Sequence, residues 1–407
     1  MSTRPRIVFT LCSLVVFGFY SAIAFGQCTL ASPDSWHTSG TGQWTNAGNW
    51  SGGVPTSSTN VCITNGSSGS PTVVNGVGNP GVVGSLQLGG FDTLNITGTS
   101  GQNYMQVYGT QIINNGQINV SAGSSNALMF IWNNTTLSGT GTLTLSTTGG
   151  GTAFIGQQQS GFSLTNQSTI DGAGNIGDGG LTVNNQGTIN ANTNGQILSL
   201  SRGTSYTNTG TLEATNGGIL QISHETVNDQ NGTMTAGAGS SIQLITNSIV
   251  QGGTLFNNLG MLSIDNTSRF VVGGAQAGTG YIQLANGILN EMIASNSSFG
   301  VINVNGSALL NGTLDILLQG GFGPSVGSTY KILLANAGQI NGTFSSIEND
   351  TFTGGPEAGG EKWVVDYDSA GGYVELIAEP LPEPGTLFVL MPGLLGAGFM
   401  LRRQLFR

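Results

Sequence analysis

Charged side chains are scarce in this sequence. Its 407 residues include 9 Lys and Arg and 19 Asp and Glu, so only 7% are charged, whereas an ordinary soluble domain has about 25%. Nine basic residues are too few to neutralise many phosphates, which excludes a nucleic-acid-binding groove. The 38% hydrophobic content does not fit the highly charged, apolar-poor type of disorder.

Proline and histidine are scarce too. Eleven prolines beside 68 glycines, without a strict third-position repeat, exclude collagen. The two histidines, His37 and His224, cannot form a three-histidine zinc site, and the sequence has neither a CxxC nor an HExxH motif. We therefore expect no metal site and no cofactor. The abundant residues are Gly, Asn, Ser and Thr, which is typical of a β protein with many short strands and turns.

The first 26 residues have the pattern of a secretory signal peptide. Arg4 and Arg6 precede an apolar run at 7–20, and small residues at 21–26 offer a cleavage site. An uncleaved membrane anchor is the alternative interpretation. Export would place Cys28 and Cys62 in an oxidising compartment, so these two cysteines are predicted to form a disulfide. Closing a loop of this length stabilises a fold by about 3–4 kcal/mol.

The segment 379–407 has three parts. Pro382-Glu383-Pro384 is followed by an apolar segment at 387–401 and then by Arg402 and Arg403. The apolar run is slightly shorter than the usual membrane span, and the basic pair would stay on the cytoplasmic side. A plain tail anchor behind a chance Pro-Glu-Pro is the alternative interpretation.

These three parts resemble the PEP-CTERM sorting signal of Gram-negative bacteria. The resemblance implies that the C-terminal helix inserts transiently into the inner membrane and that an exosortase removes it near the Pro-Glu-Pro. It also implies delivery to the cell surface or extracellular matrix, in a setting rich in exopolysaccharide.

Between the two terminal segments the chain is acidic. Residues 27–384 contain all 19 acidic residues but only four basic ones, which leaves fifteen more negative than positive charges. The four are Arg202, Arg269, Lys331 and Lys362. Such a surface keeps a protein soluble and discourages contact with anionic membranes and nucleic acid.

Tryptophan is concentrated in residues 27–89. Trp36, Trp44 and Trp50 lie within fifteen residues, and Trp50 opens the motif Trp-Ser-Gly-Gly-Val-Pro. This pattern resembles the start of secreted, passenger-like β-solenoids, which implies an N-terminal cap that covers the open end of the core. A platform on which sugars stack is the alternative interpretation.

A phrase of Asn, Gly or Thr followed by an aliphatic residue recurs through residues 90–298. Its mean spacing of about 24 residues is typical of a solenoid. A propeller is not favoured, because each blade needs about 40 residues. Low-complexity disorder is not favoured either, because such segments lack regular aliphatic positions. The fold class predicted is therefore an all-β solenoid (β-helix) with roughly eight or nine turns in a rod of about 40 Å, and with asparagine ladders at its corners. The aliphatic positions are Ile118, Leu137, Ile170, Ile189, Leu212, Met234 and Leu262.

The sequence changes character from about residue 299, and 299–378 is predicted to be a β-rich capping module. It includes a closing hairpin with strands near 362–367 and 372–377. The pattern G-x-L-x-G … W-x-V-x-Y … V-x-L resembles the C-terminal passenger module of autotransporter-type solenoids. That resemblance implies a module that shields the last strand edge. No outer-membrane barrel is recognisable, so self-transport is not expected.

Residues suited to catalysis are sparse. The acids of the repeat region are few, Glu213 and Asp265 fall at different repeat positions, and the sequence gives no support to a stacked acidic pair. We therefore expect a structural or adhesive protein rather than an enzyme. Two alternatives stay open. One is a polysaccharide lyase or hydrolase on the same rod, and the other is a carbohydrate- or ice-binding surface made of pairs such as Thr142 and Thr144.

Overall fold

The computed structural model of the protein describes residues 27–77, 80–99, 103–273, 280–353 and 360–382. The predicted signal peptide and both apolar terminal segments, predicted to be helices, lie outside the described residues. Pro382 is described and exposed, whereas the rest of the predicted sorting motif lies outside: Glu383, Pro384, Arg402 and Arg403. Within the described ranges, no helix has the length and hydrophobicity needed to cross a membrane.

The described chain is all-β and winds into a solenoid of about 11 turns. This confirms the predicted all-β solenoid, with more turns than the roughly eight or nine expected for 90–298. Each complete turn contributes one short strand to each of three sheets, and strands of successive turns pair in parallel. Among the described residues the helical part is a single 3-10 turn at Ala47–Asn49.

The first sheet contains, in spatial order, Asp34–Ser35, Val61–Ile63, Leu86–Leu88, Gln111–Asn114, Thr135–Ser138, Ser163–Asn166, Thr182–Asn185, Ser205–Asn208, Thr226–Asn228, Ile249–Gln251, Arg269–Val272, Val301–Val304, Thr329–Leu334, Tyr373–Pro380, Glu361–Asp368 and Thr351–Phe352. The second contains Thr41–Gln43, Thr72–Asn75, Asp92–Gly98, Gln117–Ala122, Thr142–Thr147, Thr169–Gly172, Thr188–Ala191, Thr211–Ala214, Thr233–Ala236, Thr254–Asn257, Gly280–Gln283, Ser307–Leu310 and Ile340–Gly342. The third contains Gly81–Val83, Asn103–Val107, Ala127–Ile131, Ala153–Gly156, Gly174–Asp178, Ile197–Ser201, Ile219–Ser223, Ser241–Ile245, Met261–Ile264, Ile288–Ser295, Thr313–Leu318 and Ser346–Glu348, and Ser298–Phe299 pairs beside it.

Aliphatic side chains fill the interior because they alternate with polar ones along each strand. In Thr211–Ala214, for example, Leu212 and Ala214 are buried while Thr211 and Glu213 face outward. Parallel pairing in register then stacks the inward residues into columns. The column of the second sheet consists of residues that are at most 1% exposed: Leu94, Ile118, Leu143, Ile170, Ile189, Leu212, Met234 and Leu255.

Two positions of the predicted repeat were assigned to the wrong column. Leu137 lies in the first sheet and Leu262 in the third, while Leu143 and Leu255 hold the equivalent second-sheet positions. Asn-rich phrases precede strands of more than one sheet, so the phrase alone does not identify the sheet. In the corrected column, successive members are separated by 19 to 27 residues.

The parallel stack is longer than the predicted repeat region of 90–298. It begins at Asp34–Ser35 and extends to Ser346–Glu348. Strands such as Val61–Ile63 and Ser307–Leu310 pair with their neighbours as the central strands do. This continuity is not visible in the sequence, because the composition changes at both ends of the stack. Backbone hydrogen bonds between strands form with many different side chains, so the pairing continues where the composition changes.

The three tryptophans of the N-terminal region pack together at the first turn. Trp50 meets Trp36 and Trp44 edge to face, with ring centroids 4.8 and 4.9 Å apart. All three are at most 3% exposed and join the buried core. A Cβ on Gly42 would lie 2.5 Å from the Trp36 ring, so this packing requires glycine there. Such burial leaves no indole face open for stacking on a sugar.

The C-terminal hairpin pairs antiparallel with the first sheet. Its strands, Glu361–Asp368 and Tyr373–Pro380, pair with each other, and the second of them pairs with Thr329–Leu334. Trp363 lies edge to face against Tyr330, with centroids 5.5 Å apart. The antiparallel direction ends the parallel ladder of this sheet.

An asparagine ladder follows the corner between the first and second sheets. Asn166 donates to Asn185, and Asn185 donates to Asn208, each with an Nδ2–Oδ1 distance of 2.7 Å. Asn208 donates in turn to Oδ1 of Asp229. The four residues are at most 2% exposed. The corner ladder expected from the sequence is therefore present, and it ends on a carboxyl group.

A second carboxyl group lies in the core of the third sheet. Glu291 is fully buried and pairs in register with Ile264 on one side and Ile316 on the other. Neither of its carboxyl oxygens has a hydrogen-bond partner among the described residues. Burial raises the pKa of Glu291 well above its ordinary value of 4.5, because desolvation disfavours the charged form.

We expect Glu291→Met to raise the free energy of unfolding by about 2 kcal/mol at pH 8, because it removes a buried, unpartnered carboxyl at similar volume. The raised folded-state pKa means that the wild type loses stability as the pH rises above 4.5. The gain should therefore shrink towards pH 4. Urea denaturation at several pH values measures it. Glu291→Gln is the control, and parallel pH profiles for wild type and Glu291→Met would contradict the argument.

Candidate binding surface

Cys28 and Cys62 form a disulfide in the structure, with Cα atoms 5.9 Å apart. Cys62 lies in a buried strand of the first sheet, so the bond ties the start of the described chain to the stack. Gln87 supports the same segment, because its Oε1 accepts from the Thr29 backbone and its Nε2 donates to the Gln27 carbonyl, both at 2.9 Å. The contacts around this pair hold a chain end in place.

Replacing both cysteines, as in Cys28→Ser with Cys62→Ser, should speed amide exchange in residues 27–33 and leave the central turns protected. Turns of a solenoid contact only their neighbours, so the effect should remain local. Hydrogen exchange with mass spectrometry measures this. Reducing agent should reproduce the effect in the wild type and add nothing in the double variant. Uniform loss of protection along the chain would contradict this prediction.

A column of threonines runs along the outward face of the second sheet. Each of these residues begins its strand, and the strands pair in register, so the hydroxyls repeat at the strand spacing of ~4.8 Å. We call this set the threonine column, and all of its members are half-buried: Thr142, Thr169, Thr188, Thr211, Thr233 and Thr254.

Beside the threonine column lies a second outward column of amides, hydroxyls and carboxylates, which we call the central polar column. Its members are Asn95, Asn119, Thr144, Asp171, Asn190, Glu213 and Thr235. Two pairs of neighbours in this column bond to each other: Asn119 Nδ2 donates to Asn95 Oδ1 at 2.8 Å, and Thr144 Oγ1 donates to Asp171 Oδ1 at 2.6 Å. The column is thus a strip of outward hydrogen-bonding groups, four of which are held in place by a neighbour.

Asp171 and Glu213 occupy the same column, two turns apart, with Asn190 between them. This pair was not predicted, because Glu213 was compared with Asp265 rather than with Asp171. The signal was available, since both residues directly follow a second-sheet core aliphatic, Ile170 or Leu212. Burial raises the pKa of Glu213. Asp171 accepts hydrogen bonds on both oxygens, from Thr144 and, at 3.0 Å, from Asn192 Nδ2.

The outward face of the third sheet changes from apolar to polar along the rod. One register column passes from Tyr104 and Leu128 to Phe154 and then to Asn175 and Ser199. The same column continues with Gln221 and Gln243, whose amides bond at 3.3 Å. A groove of about 550 Å³ lies where this change occurs.

The remaining candidates do not converge into a catalytic group. His224 is exposed and lies in a bend with φ 61°, between the strands Ile219–Ser223 and Thr226–Asn228. Neighbouring Glu225 accepts from the Gly203 backbone at 3.0 Å. In the part of the chain that the structure describes, no group of three or more His, Cys, Asp or Glu residues could hold a metal ion.

No protein family, curated protein or solved structure matches this chain.

Proposed function

We propose that the chain is an exported structural or adhesive β-solenoid of the cell envelope or extracellular matrix, associated with exopolysaccharide. Its sorting by an exosortase is part of this proposal and is supported by the terminal sequence features. The observation that carries the adhesive role is the pair of outward columns on the second sheet, the threonine column and the central polar column.

Repetition is what makes such a surface adhesive. A single hydrogen bond between a protein hydroxyl and a sugar hydroxyl contributes little binding free energy, because both groups exchange it for a hydrogen bond to water. Many equally spaced groups on one rigid rod act together, since each contact after the first is effectively intramolecular. The buried Trp36–Trp44–Trp50 cluster and the antiparallel C-terminal hairpin fit the role of caps, which keep the open ends from pairing with other chains.

The sorting part is tested by intact-mass analysis of the protein from cells with and without the exosortase. We expect a product that lacks 387–407 only when the exosortase is present. The adhesive part is tested by co-sedimentation with exopolysaccharide from the producing cells. Retention of 387–407 in the product from cells with the exosortase would contradict the sorting proposal. Absence of co-sedimentation would contradict the adhesive proposal.

A polysaccharide hydrolase is the second candidate, and the Asp171–Glu213 pair favours it. Two turns separate the backbone positions by about 10 Å, and carboxyl groups of inverting glycosidases lie about 6.5–9.5 Å apart with the acid's pKa raised. Glu213 would act as the acid and Asp171 as the base. Release of reducing ends from neutral polysaccharides tests this, with Glu213→Gln and Asp171→Asn expected to abolish it and Asp315→Asn, on another sheet, to leave it unchanged.

The threonine column favours a third candidate, a carbohydrate- or ice-binding surface. Regularly spaced hydroxyls and methyl groups can match a periodic ligand that lies along the rod. Replacing the central members Thr188 and Thr211 by lysine should abolish ice affinity if ice is the ligand. Lysine at Asn184, which faces outward on the first sheet, is the matched control.

A further inference from the structure

We propose that the groove on the third sheet is a binding site for a neutral polysaccharide segment. This inference rests on the proposed function, because it names the ligand class and the place where a matrix polysaccharide is held. The groove crosses the strands Ala153–Gly156, Gly174–Asp178 and Ile197–Ser201. Two intervals of ~4.8 Å make it about 10 Å long in the direction of the rod.

The groove has an apolar part suited to the C–H faces of sugar rings. Phe154 lines it and is half-buried, and Ile197 lines it with 42% of its surface exposed. Phe154 continues an outward apolar column that contains Tyr104 and Leu128. Partly exposed rings and aliphatic chains beside polar groups are the surfaces on which amphipathic ligands pack.

The groove also has fixed hydrogen-bonding groups, and one of them lacks a partner. Asn175 lines the groove at 8% exposure, and its Oδ1 accepts no hydrogen bond within the described protein. A buried carbonyl oxygen without a donor costs stability, and a ligand hydroxyl would satisfy it once the Asn175 side chain turns this oxygen towards the groove. Nearby, Thr147 Oγ1 donates to Gln196 Oε1 at 2.9 Å, and Ser199 donates to Ser201 at 3.2 Å.

Charge selects a neutral ligand over an acidic one. Of the described residues that line the groove, only Arg202 is charged, and its guanidinium already lies 3.3 Å from Asp178 Oδ1. Because residues 27–384 have fifteen more acidic than basic side chains, a polyanion would be repelled at long range. A neutral polysaccharide meets no such repulsion and can use the Arg202–Asp178 pair as both donor and acceptor.

The test is calorimetric titration of the secreted protein with cellotetraose, maltotetraose and tetragalacturonate. At least one neutral tetrasaccharide should bind, and tetragalacturonate should bind more weakly. Ser199→Tyr places a large side chain in the groove without entering the core, and it should weaken binding at least about tenfold. Thr136→Tyr, the same kind of change on the outward face of the first sheet, should leave affinity within about twofold of wild type.

The inference is overturned if neither neutral tetrasaccharide binds, if tetragalacturonate binds more tightly, or if Ser199→Tyr binds as wild type does. Circular dichroism and thermal midpoints establish that both variants are folded. Co-sedimentation with intact exopolysaccharide separates this failure from failure of the proposed function. Co-sedimentation without tetrasaccharide binding in the calorimeter overturns the groove alone, whereas tetrasaccharide binding without co-sedimentation overturns the adhesive proposal alone.

Discussion

Asn185→Leu is expected to lower the free energy of unfolding by about 3–5 kcal/mol, the largest loss for any single change considered. Asn185 occupies the middle of the asparagine ladder, where it accepts from Asn166 and donates to Asn208. It also donates to the Thr211 carbonyl at 3.0 Å. Leucine removes the acceptor of one Asn166 hydrogen bond and the donor to Asn208 and to the Thr211 carbonyl. Water cannot replace these bonds because the ladder residues are at most 2% exposed.

Asn184→Leu is the matched control, because Asn184 precedes Asn185 on the same strand and faces outward. We expect this variant to unfold within about 0.5 kcal/mol of wild type. Chemical denaturation measures both variants, and hydrogen exchange should place the loss in the turns around residues 166–229. Equal destabilisation by the two leucines would show that the ladder is not the source of the stability.

Asp229→Asn is expected to raise the free energy of unfolding by about 2–4 kcal/mol at pH 8 and by little at pH 4. Burial raises the pKa of Asp229 to about 7, although the hydrogen bond from Asn208 partly opposes this. The folded-state pKa therefore lies above the ordinary value of 3.8. The wild-type free energy of unfolding falls as the pH rises from 3.8 to about 7. Over this range the carboxyl ionises readily in the unfolded state, whereas burial disfavours its ionisation in the folded state.

An asparagine at 229 does not titrate and extends the ladder by one residue. Asn166 and Asn185 each donate Nδ2 to the carbonyl of the threonine that begins the second-sheet strand one turn further on, Thr188 or Thr211. Thr254 holds the corresponding position for residue 229. Urea midpoints at pH 4, 6 and 8 test the prediction. Asp315→Asn is the control at an outward carboxylate. A gain that does not vary with pH would contradict the assignment to ionisation.

The solenoid was predictable because its signals are local. Leu212 between Thr211 and Glu213 is enough to orient a strand, and Asn or Gly at the corner is enough to turn the chain. The register between turns was harder to predict from the sequence. It pairs residues about 20 to 27 positions apart, and the corners between strands differ in length. Asp229 shows the difficulty. Four positions separate it from Thr233, whereas three separate Asn208 from Thr211, so the ladder position was not recognisable.

The groove could not be predicted from the sequence. Phe154, Asn175 and Ser199 share a column only through pairing across three turns, and a register shift between Ile155 and Gly156 alters that pairing locally. The Asp171–Glu213 pair, in contrast, was accessible from the sequence. Ile170 and Leu212 both belong to the predicted repeat positions, and each carboxylate directly follows one of them.

The three parallel sheets give the rod a particular response to pulling. Hydrogen bonds between turns point along the rod axis, so tension between its two ends stretches the interfaces in series. The weakest interface opens first, and the turns beyond it stay folded because each contacts only its neighbours. A turn of about 24 residues releases roughly 80 Å of extended chain. A rod held at both ends in a matrix would thus lengthen in steps and shorten again as turns reform, behaving as an extensible spacer rather than a brittle strut.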